Sequence, residues 1–324
     1  MNVVVTGGAG YIGGVVAAEL VRAGHRVVVV DNLSTGHRAA VPSGARFVGA
    51  DLRDRALVRG ALRGADAVVH LAGSSIVAES VAHPERYWEN NVVAGRALLG
   101  AMREEGVRSL VFSSSAAVYG ESNGHPIDEA HPTLPTNPYG ASKLAFETDL
   151  RDEFTATGLR SICLRYFNAA GASDTHGEDH EPETHLIPLV LEVAAEKRSE
   201  VVVFGGDYPT PDGTCVRDYV HVLDLAHAHV LALAAVGHAS WIAYNLGGGG
   251  EGHSVRQVID AAGRVTGRPI PIRVGPRRAG DPARLVASAA RIGSALGWHP
   301  TRSLDGMIGS AWSWARREKC RVER

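Results

Sequence analysis

Cysteine is scarce in this chain of 324 residues: Cys163, Cys215 and Cys320 are the only three, and no two have C-x-x-C spacing. Neither a disulfide framework nor a cysteine zinc site follows, and a reducing cytoplasm is the expected setting. Positive charge is not in excess either. Lys and Arg number 33 against 35 Asp and Glu, a formal net charge of -2, and no basic run is present that could track a phosphate backbone. Nucleic acid is therefore not an expected partner. Long apolar runs are missing as well. The first residues, Met1-Asn2-Val3-Val4-Val5-Thr6, carry no charged n-region and lead to no cleavage site, so neither export nor a membrane anchor is expected. The 15 histidines are scattered, and neighbours such as His227 and His229 point in different directions on a helix, so no metal is expected. No internal repeat is evident.

What the chain does contain is an alternation of short apolar runs with longer helical patterns. The runs Asn2 to Val5, His25 to Val30, Arg46 to Val48, Ala67 to Leu71, Arg108 to Phe112 and Leu159 to Leu164 predict strands buried on both faces. Crossover helices such as Ile12 to Ala23 and Tyr87 to Glu105 complete an α/β, doubly wound parallel sheet of the Rossmann type, with ligands expected at the strands' carboxyl ends. The length exceeds one ordinary core, so one large α/β domain with an appended smaller lobe, or two domains, is expected; the reading taken is a smaller C-terminal substrate-binding lobe. The segment Ala169 to His185, with Gly171, Gly177 and Pro182, is too long for a simple connection and reads as a substrate-covering excursion. The expected division is 1–168 for the nucleotide domain, its sheet completed by about 218–247, and 169–217 with 248–324 for the smaller lobe.

The first strand leads into Gly7-Gly8-Ala9-Gly10-Tyr11-Ile12-Gly13, a G-x-x-G-x-x-G turn that lets backbone approach a pyrophosphate at a helix N-terminus. The second strand ends at Asp31-Asn32, where a carboxylate accepts from both adenosine-ribose hydroxyls and repels a 2′-phosphate, so NAD is expected rather than NADP. Asp51-Leu52 after the third strand is a candidate for the adenine edge, although an aspartate there is also an ordinary turn residue. Ser113-Ser114-Ser115 closes the fifth strand, with Ser115 the chosen hydroxyl. In Asn137-Pro138-Tyr139-Gly140-Ala141-Ser142-Lys143, a helix started by Asn137 and Pro138 puts Tyr139 and Lys143 on one face, where an ammonium would favour the ionised phenol. Tyr139 is then a proton acceptor, Ser115 bridges it to a substrate oxygen, and Lys143 can also hold a nicotinamide ribose.

These motifs resemble the extended short-chain dehydrogenase/reductase superfamily. Farther along, Ser113 to Gly120, Leu164-Arg165-Tyr166-Phe167-Asn168, the run from Phe204-Gly205-Gly206-Asp207-Tyr208-Pro209-Thr210 to Val216-Arg217-Asp218-Tyr219, and Tyr244-Asn245-Leu246-Gly247 narrow this to a resemblance with the UDP-glucose 4-epimerase family over nearly the whole chain. The resemblance implies an isomerase acting on a UDP-hexose through NAD that is regenerated in each turnover, and a homodimer. Transient oxidation at C4, rotation of the 4-keto sugar and reduction on its other face interconvert UDP-glucose and UDP-galactose. It also implies that Leu71, Ala72, Gly73, Asn90, Ser113 and Phe167 line the cofactor. Asn168, His185, Leu186 and Phe204 would approach the UDP-sugar. Arg217 and Arg278, the latter in Arg277-Arg278-Ala279-Gly280-Asp281, offer two guanidinium groups as a diphosphate clamp, with Asp281 and Leu285 at the same site.

Several positions depart from that family's pattern. Ala117 stands where a threonine is common, Ser74-Ser75 where a lysine is usual, His185 in place of an asparagine and Ser288 in place of an aspartate. Leu285 falls where side-chain volume limits the sugar C2 substituent. A 4-epimerase acting on UDP-GlcNAc/UDP-GalNAc or a UDP-uronic acid is therefore an open alternative. A nucleotide-sugar dehydratase is disfavoured because Ala116-Ala117 follows Ser115 in place of an acidic pair. A non-catalytic NAD-binding protein is disfavoured because Ser115, Tyr139 and Lys143 are all present.

Overall fold

Valine dominates the early strands, and its branched side chain favours extended backbone packed on both faces. A computed structural model describes residues 1–120, 126–180, 183–278 and 281–322. Pro182, Gly280 and the side chain of Cys320 lie outside what it describes. The central strands are β1 Asn2–Thr6, β2 Arg26–Asp31, β3 Ala45–Gly49, β4 Ala67–His70, β5 Ser109–Ser115, β6 Arg160–Tyr166 and β7 Trp241–Leu246. They form one parallel seven-stranded sheet in the order β7-β6-β5-β4-β1-β2-β3. Side chains alternate between two cores. Val3 and Val5 join Leu20 and Leu225 on one face, whereas Val4 joins Leu62, Leu98 and Phe146 on the other. The order reverses between β1 and β4, which opens a crevice at their carboxyl ends.

The serines close β5 as expected, and one other element differs. Pairing with β6 carries β5 past the apolar run to Ser115, holding Ser113 beside Leu164 and Ser115 beside Tyr166. The single helix expected from Tyr87 to Glu105 is instead a helical run in three pieces, Pro84–Trp88, a π-turn over Glu89–Val93, and Ala94–Glu104. A π-turn widens the backbone by one residue and commonly serves a site. Here it carries Asn90 and Asn91.

The smaller lobe has its own core, with Ile187, Val190, Val203, Val258, Ile259 and Ile308 among its members. The helices Leu186–Ala194, Val255–Thr266 and Leu304–Val322 enclose it. Not all of the segment after residue 248 belongs to that lobe. Ile292 and Trp298 are fully buried in the main core instead, and the Trp298 indole donates to the Asp224 carbonyl at 2.9 Å. No described helix is long and apolar enough to cross a membrane.

One buried ion pair ties the elements that carry the serine cluster and the Tyr139 helix. Glu147, on the helix Pro138–Thr157, is 1 % exposed, and Arg165 on β6 is 3 % exposed. The Arg165 Nε donates to Glu147 Oε1 at 2.9 Å, and its Nη2 to Oε2. Ser114 of β5 donates to the same carboxylate, and Arg165 Nη1 donates to the Tyr119 hydroxyl at 2.8 Å. Tyr119 in turn donates to Asn245 on β7. Removing one partner leaves a buried charge uncompensated, so Arg165→Met should lower the unfolding free energy by about 3–5 kcal/mol in denaturant titrations. The Glu147→Leu/Arg165→Met double variant should lose less than the two single losses combined. A single variant as stable as the parent would show that the pair does not tie these elements.

Candidate active site

At the reversal point a cleft of about 1800 Å³ runs from the glycine-rich turn to the smaller lobe. The turn is shaped by backbone proximity. A Cβ on Gly7, which has φ of 71°, would stand 2.4 Å from the Ala72 nitrogen, and one on Gly13 would stand 2.0 Å from the Gly7 carbonyl oxygen. The helix Tyr11–Arg22 begins at Gly10 with no side-chain cap and no acidic residue in its first turn, which leaves its N-terminal N–H groups for an anion. Asp31 closes β2 with its carboxylate accepting from the Ala9 N–H at 3.0 Å and the Leu33 N–H at 2.8 Å. A bare helix N-terminus beside a strand-end carboxylate is a donor set that fits a dinucleotide. Gly7, Gly10, Tyr11, Ile12, Gly13 and Asp31 would hold its pyrophosphate and ribose.

The other nucleotide-site candidates line the same cleft. Asn32, Asp51 and Leu52 lie at one end, and Leu71, Ala72, Gly73, Asn90, Ser113 and Phe167 continue along it. Asp51 is already engaged: it accepts from Arg53 Nε and Nη2, each at 2.8 Å, and Arg53 holds its pKa well below the carboxylate range. Ser74, in the Ser74-Ser75 pair, is fixed by its neighbours. Its N–H donates to Asn91 Oδ1 at 2.7 Å, and its hydroxyl accepts from Asn90 at 3.0 Å. Asn91 also donates to the Ser142 hydroxyl, so the π-turn is bonded to the Tyr139 helix.

Ser115, Tyr139 and Lys143 converge on the cleft. Asn137 caps their helix by accepting from the Gly140 N–H at 2.9 Å, with Pro138 in the first turn. Tyr139 hydrogen-bonds to Ser115, and Tyr87 packs edge-on to its ring. The electrostatic expectation for this pair is corrected. Burial pushes the Tyr139 phenol above its ordinary value, only partly opposed by Ser115. Lys143 Nζ lies 5.9 Å from the tyrosine ring and donates to the Ser113 carbonyl at 3.0 Å. Burial pulls the ammonium down to about 8, against the pull of Glu147. Desolvation acts on both groups, and at that separation it outweighs their mutual attraction.

The substrate-side candidates line the far part of the cleft: Asn168, His185, Leu186, Phe204, Arg217, Arg278, Asp281 and Leu285. Arg217 Nη1 donates to the Pro282 carbonyl at 2.8 Å, and its Nη2 to Asp281 at 3.2 Å. Arg278 lies over the Phe204 ring, 3.9 Å from its centre. Leu285 sits in a short strand beside Arg217, and Ala117 also lines the cleft. Ser288 does not; its N–H is bonded to the Ile127 carbonyl. His185 precedes the helix Leu186–Ala194 and meets two carboxylates, Glu183 at 2.8 Å and Glu178 at 3.0 Å. Burial opposes its charge, but those carboxylates overcome it and raise the imidazole to about 10. Glu147, Arg165, Asn91 and the Glu178–His185 cluster were missed in the sequence. A signal existed for two of them: Glu147 continues the four-residue series Tyr139, Lys143, and Glu178 opens an alternating Glu/His spacing.

The model of the NAD dependent epimerase/dehydratase family matches residues 3–247. The chain belongs to that family. A UDP-glucose 4-epimerase of Streptomyces lividans is 54% identical over 313 residues, covering 96% of this chain and 94% of that protein. One from Corynebacterium glutamicum is 51% identical, covering 97% and 95%. The crystal structure of UDP-glucose 4-epimerase from Bifidobacterium longum in complex with NAD+ and UDP superposes with a TM-score of 0.92, at 40% identity, over 98% of this chain and 99% of that one. The family's match begins in β1 and ends just past β7, so it takes in the glycine turn, the Ser115–Tyr139–Lys143 group and Arg217.

Proposed function

We propose that this chain is an NAD-dependent 4-epimerase interconverting UDP-glucose and UDP-galactose. One observation carries the reading: the Ser115–Tyr139 pair and Lys143 share a single cleft with the dinucleotide turn on one side and Arg217 and Arg278 on the other. Bound NAD supplies a reversible hydride acceptor and a positive ring charge. With its phenol ionised under the positive charge that bound NAD would add, Tyr139 would accept the proton of the sugar 4-hydroxyl and later return it, and Ser115 would bridge the phenol to the sugar oxygen. Lys143, anchored on Ser113 and 5.9 Å from the Tyr139 ring, would hold the nicotinamide ribose. Arg217 and Arg278 grip the diphosphate, Arg217 exchanging its Asp281 partner for phosphate oxygens, while the 4-keto sugar turns over between the two redox steps.

Product analysis with UDP-galactose tests this. The purified chain should form UDP-glucose without added cofactor and release NAD, not NADP, on denaturation. Tyr139→Phe should keep NAD and fold but lose at least about a hundredfold in kcat, and Lys143→Met should behave similarly. Near-normal turnover in either variant would remove these residues from the chemistry.

Sugar range is assigned to Leu285. Its side chain lines the cleft, so plain hexoses should be preferred over N-acetylated ones. Leu285→Cys should raise the ratio of kcat/KM for UDP-GlcNAc to that for UDP-glucose by roughly tenfold. An unchanged ratio would move the gate elsewhere.

The reading includes a homodimer. Val77, Val81 and Trp88 are exposed on the consecutive helices Val77–Ala82 and Pro84–Trp88; the two valines line the cleft, which leaves Trp88 as the apolar side chain for a second copy to cover. Sedimentation should give twice the 34.2 kDa chain mass, and Trp88→Asp should shift it toward the monomer. A parent that sediments as a monomer at micromolar concentration rules the dimer out.

A further inference from the structure

Between β6 and the helix Leu186–Ala194 the chain makes its long excursion over the cleft, and four metal-ligating side chains gather on it. Glu178, His180, Glu183 and His185 each present one ligand atom, and these atoms lie within 4.8 Å of one another. Both imidazoles turn the same nitrogen inward. His180 Nδ1 is 2.8 Å and His185 Nδ1 3.0 Å from a single oxygen, Glu178 Oε1, while Glu183 Oε1 is 2.8 Å from His185 Nδ1. The two rings are 5.6 Å apart.

We propose that these four side chains bind one divalent transition-metal ion of the zinc class, which clips the excursion over the phosphate end of the cleft. Two nitrogen and two oxygen donors suit a tetrahedral zinc-type ion. Metal–ligand bonds of about 2.0–2.2 Å place the donors about 3.4 Å apart, so the tight contacts need only open slightly and the wider ones close. Two independent features of the surroundings point the same way. The excursion is already seated on three elements: Tyr11 donates to the Gly171 carbonyl at 2.5 Å, His37 meets Asp179 at 3.3 Å, and a Cβ on Gly177 would stand 2.3 Å from the Trp314 ring. Glu178, between Gly177 and Asp179, is therefore delivered by a held backbone. The charge balance is the second feature. Glu178, Glu183 and His185 line a cleft whose other features would receive diphosphates, and with two carboxylates offset only by the protonated His185 a net negative charge remains there to repel the ligand. A divalent ion compensates both carboxylates at once, with the histidines bound in their neutral form. The expectation of no metal rested on histidines scattered along the sequence; folding brings two of them together.

Metal uptake is read without turnover, so its outcome is separate from that of the proposed reaction. The full chain, free of any affinity tag and with its NAD retained, is stripped with chelator and titrated with Co²⁺ while visible absorbance is followed. Saturation at one equivalent, a tetrahedral cobalt band, displacement of that band by Zn²⁺ and a rise in melting temperature are expected. His180→Ala and Glu183→Gln should each abolish the band and the rise, with a metal-free melting temperature matching that of the stripped parent. Should either variant fold poorly, a second measurement serves: Zn²⁺ should protect His180 of the parent from diethyl pyrocarbonate, read by mass spectrometry. No uptake by the parent, uptake unchanged in both variants, or no protection of His180 overturns the site.

Discussion

Arg165 reaches from β6 into a region closed to water and finds both oxygens of the Glu147 carboxylate. Neither charge tolerates the absence of the other there, because the surroundings offer no solvent to replace the lost partner. Their remaining hydrogen-bonding capacity is taken up by Ser114 and Tyr119, and Tyr119 passes the chain of bonds to Asn245. Three neighbouring strands and the long helix Pro138–Thr157 are thus held in one relation. Ser115 is the residue after Ser114, and Lys143 lies one helical turn before Glu147. The Ser115 hydroxyl and the Lys143 ammonium inherit their positions from an interaction that lies outside the cleft lining.

A second consequence of burial appears in the same place. Tyr139 and Lys143 share a helix face, as a four-residue spacing requires, yet their acidities are governed by loss of water more than by each other. The phenol rises and the ammonium falls.

Much of the fold was legible because parallel strands buried on both faces must be apolar along their whole length, and the glycine turn has few alternative uses between a strand and a helix. The end of β5 was legible too, since the serines Ser113 to Ser115 follow its apolar run directly. The π-turn at Glu89–Val93 was not, because its extra residue leaves no mark on a helical pattern. The attachment of Trp298 to the main core depends on contacts with Asp224 and with side chains near residue 225, far away in the chain.

The sequence by itself determined the nucleotide-binding architecture and the Tyr139–Lys143 face, because each depends on neighbours within a few positions or on an unbroken apolar run; the substrate-side residues were named by the resemblance of longer motifs. Tertiary structure decided the acidities, the Glu147–Arg165 tie and the packing of Ile292 and Trp298 in the main core. Each of these depends on which groups meet across long separations and on how much water is excluded when they do, and neither quantity is written in local order.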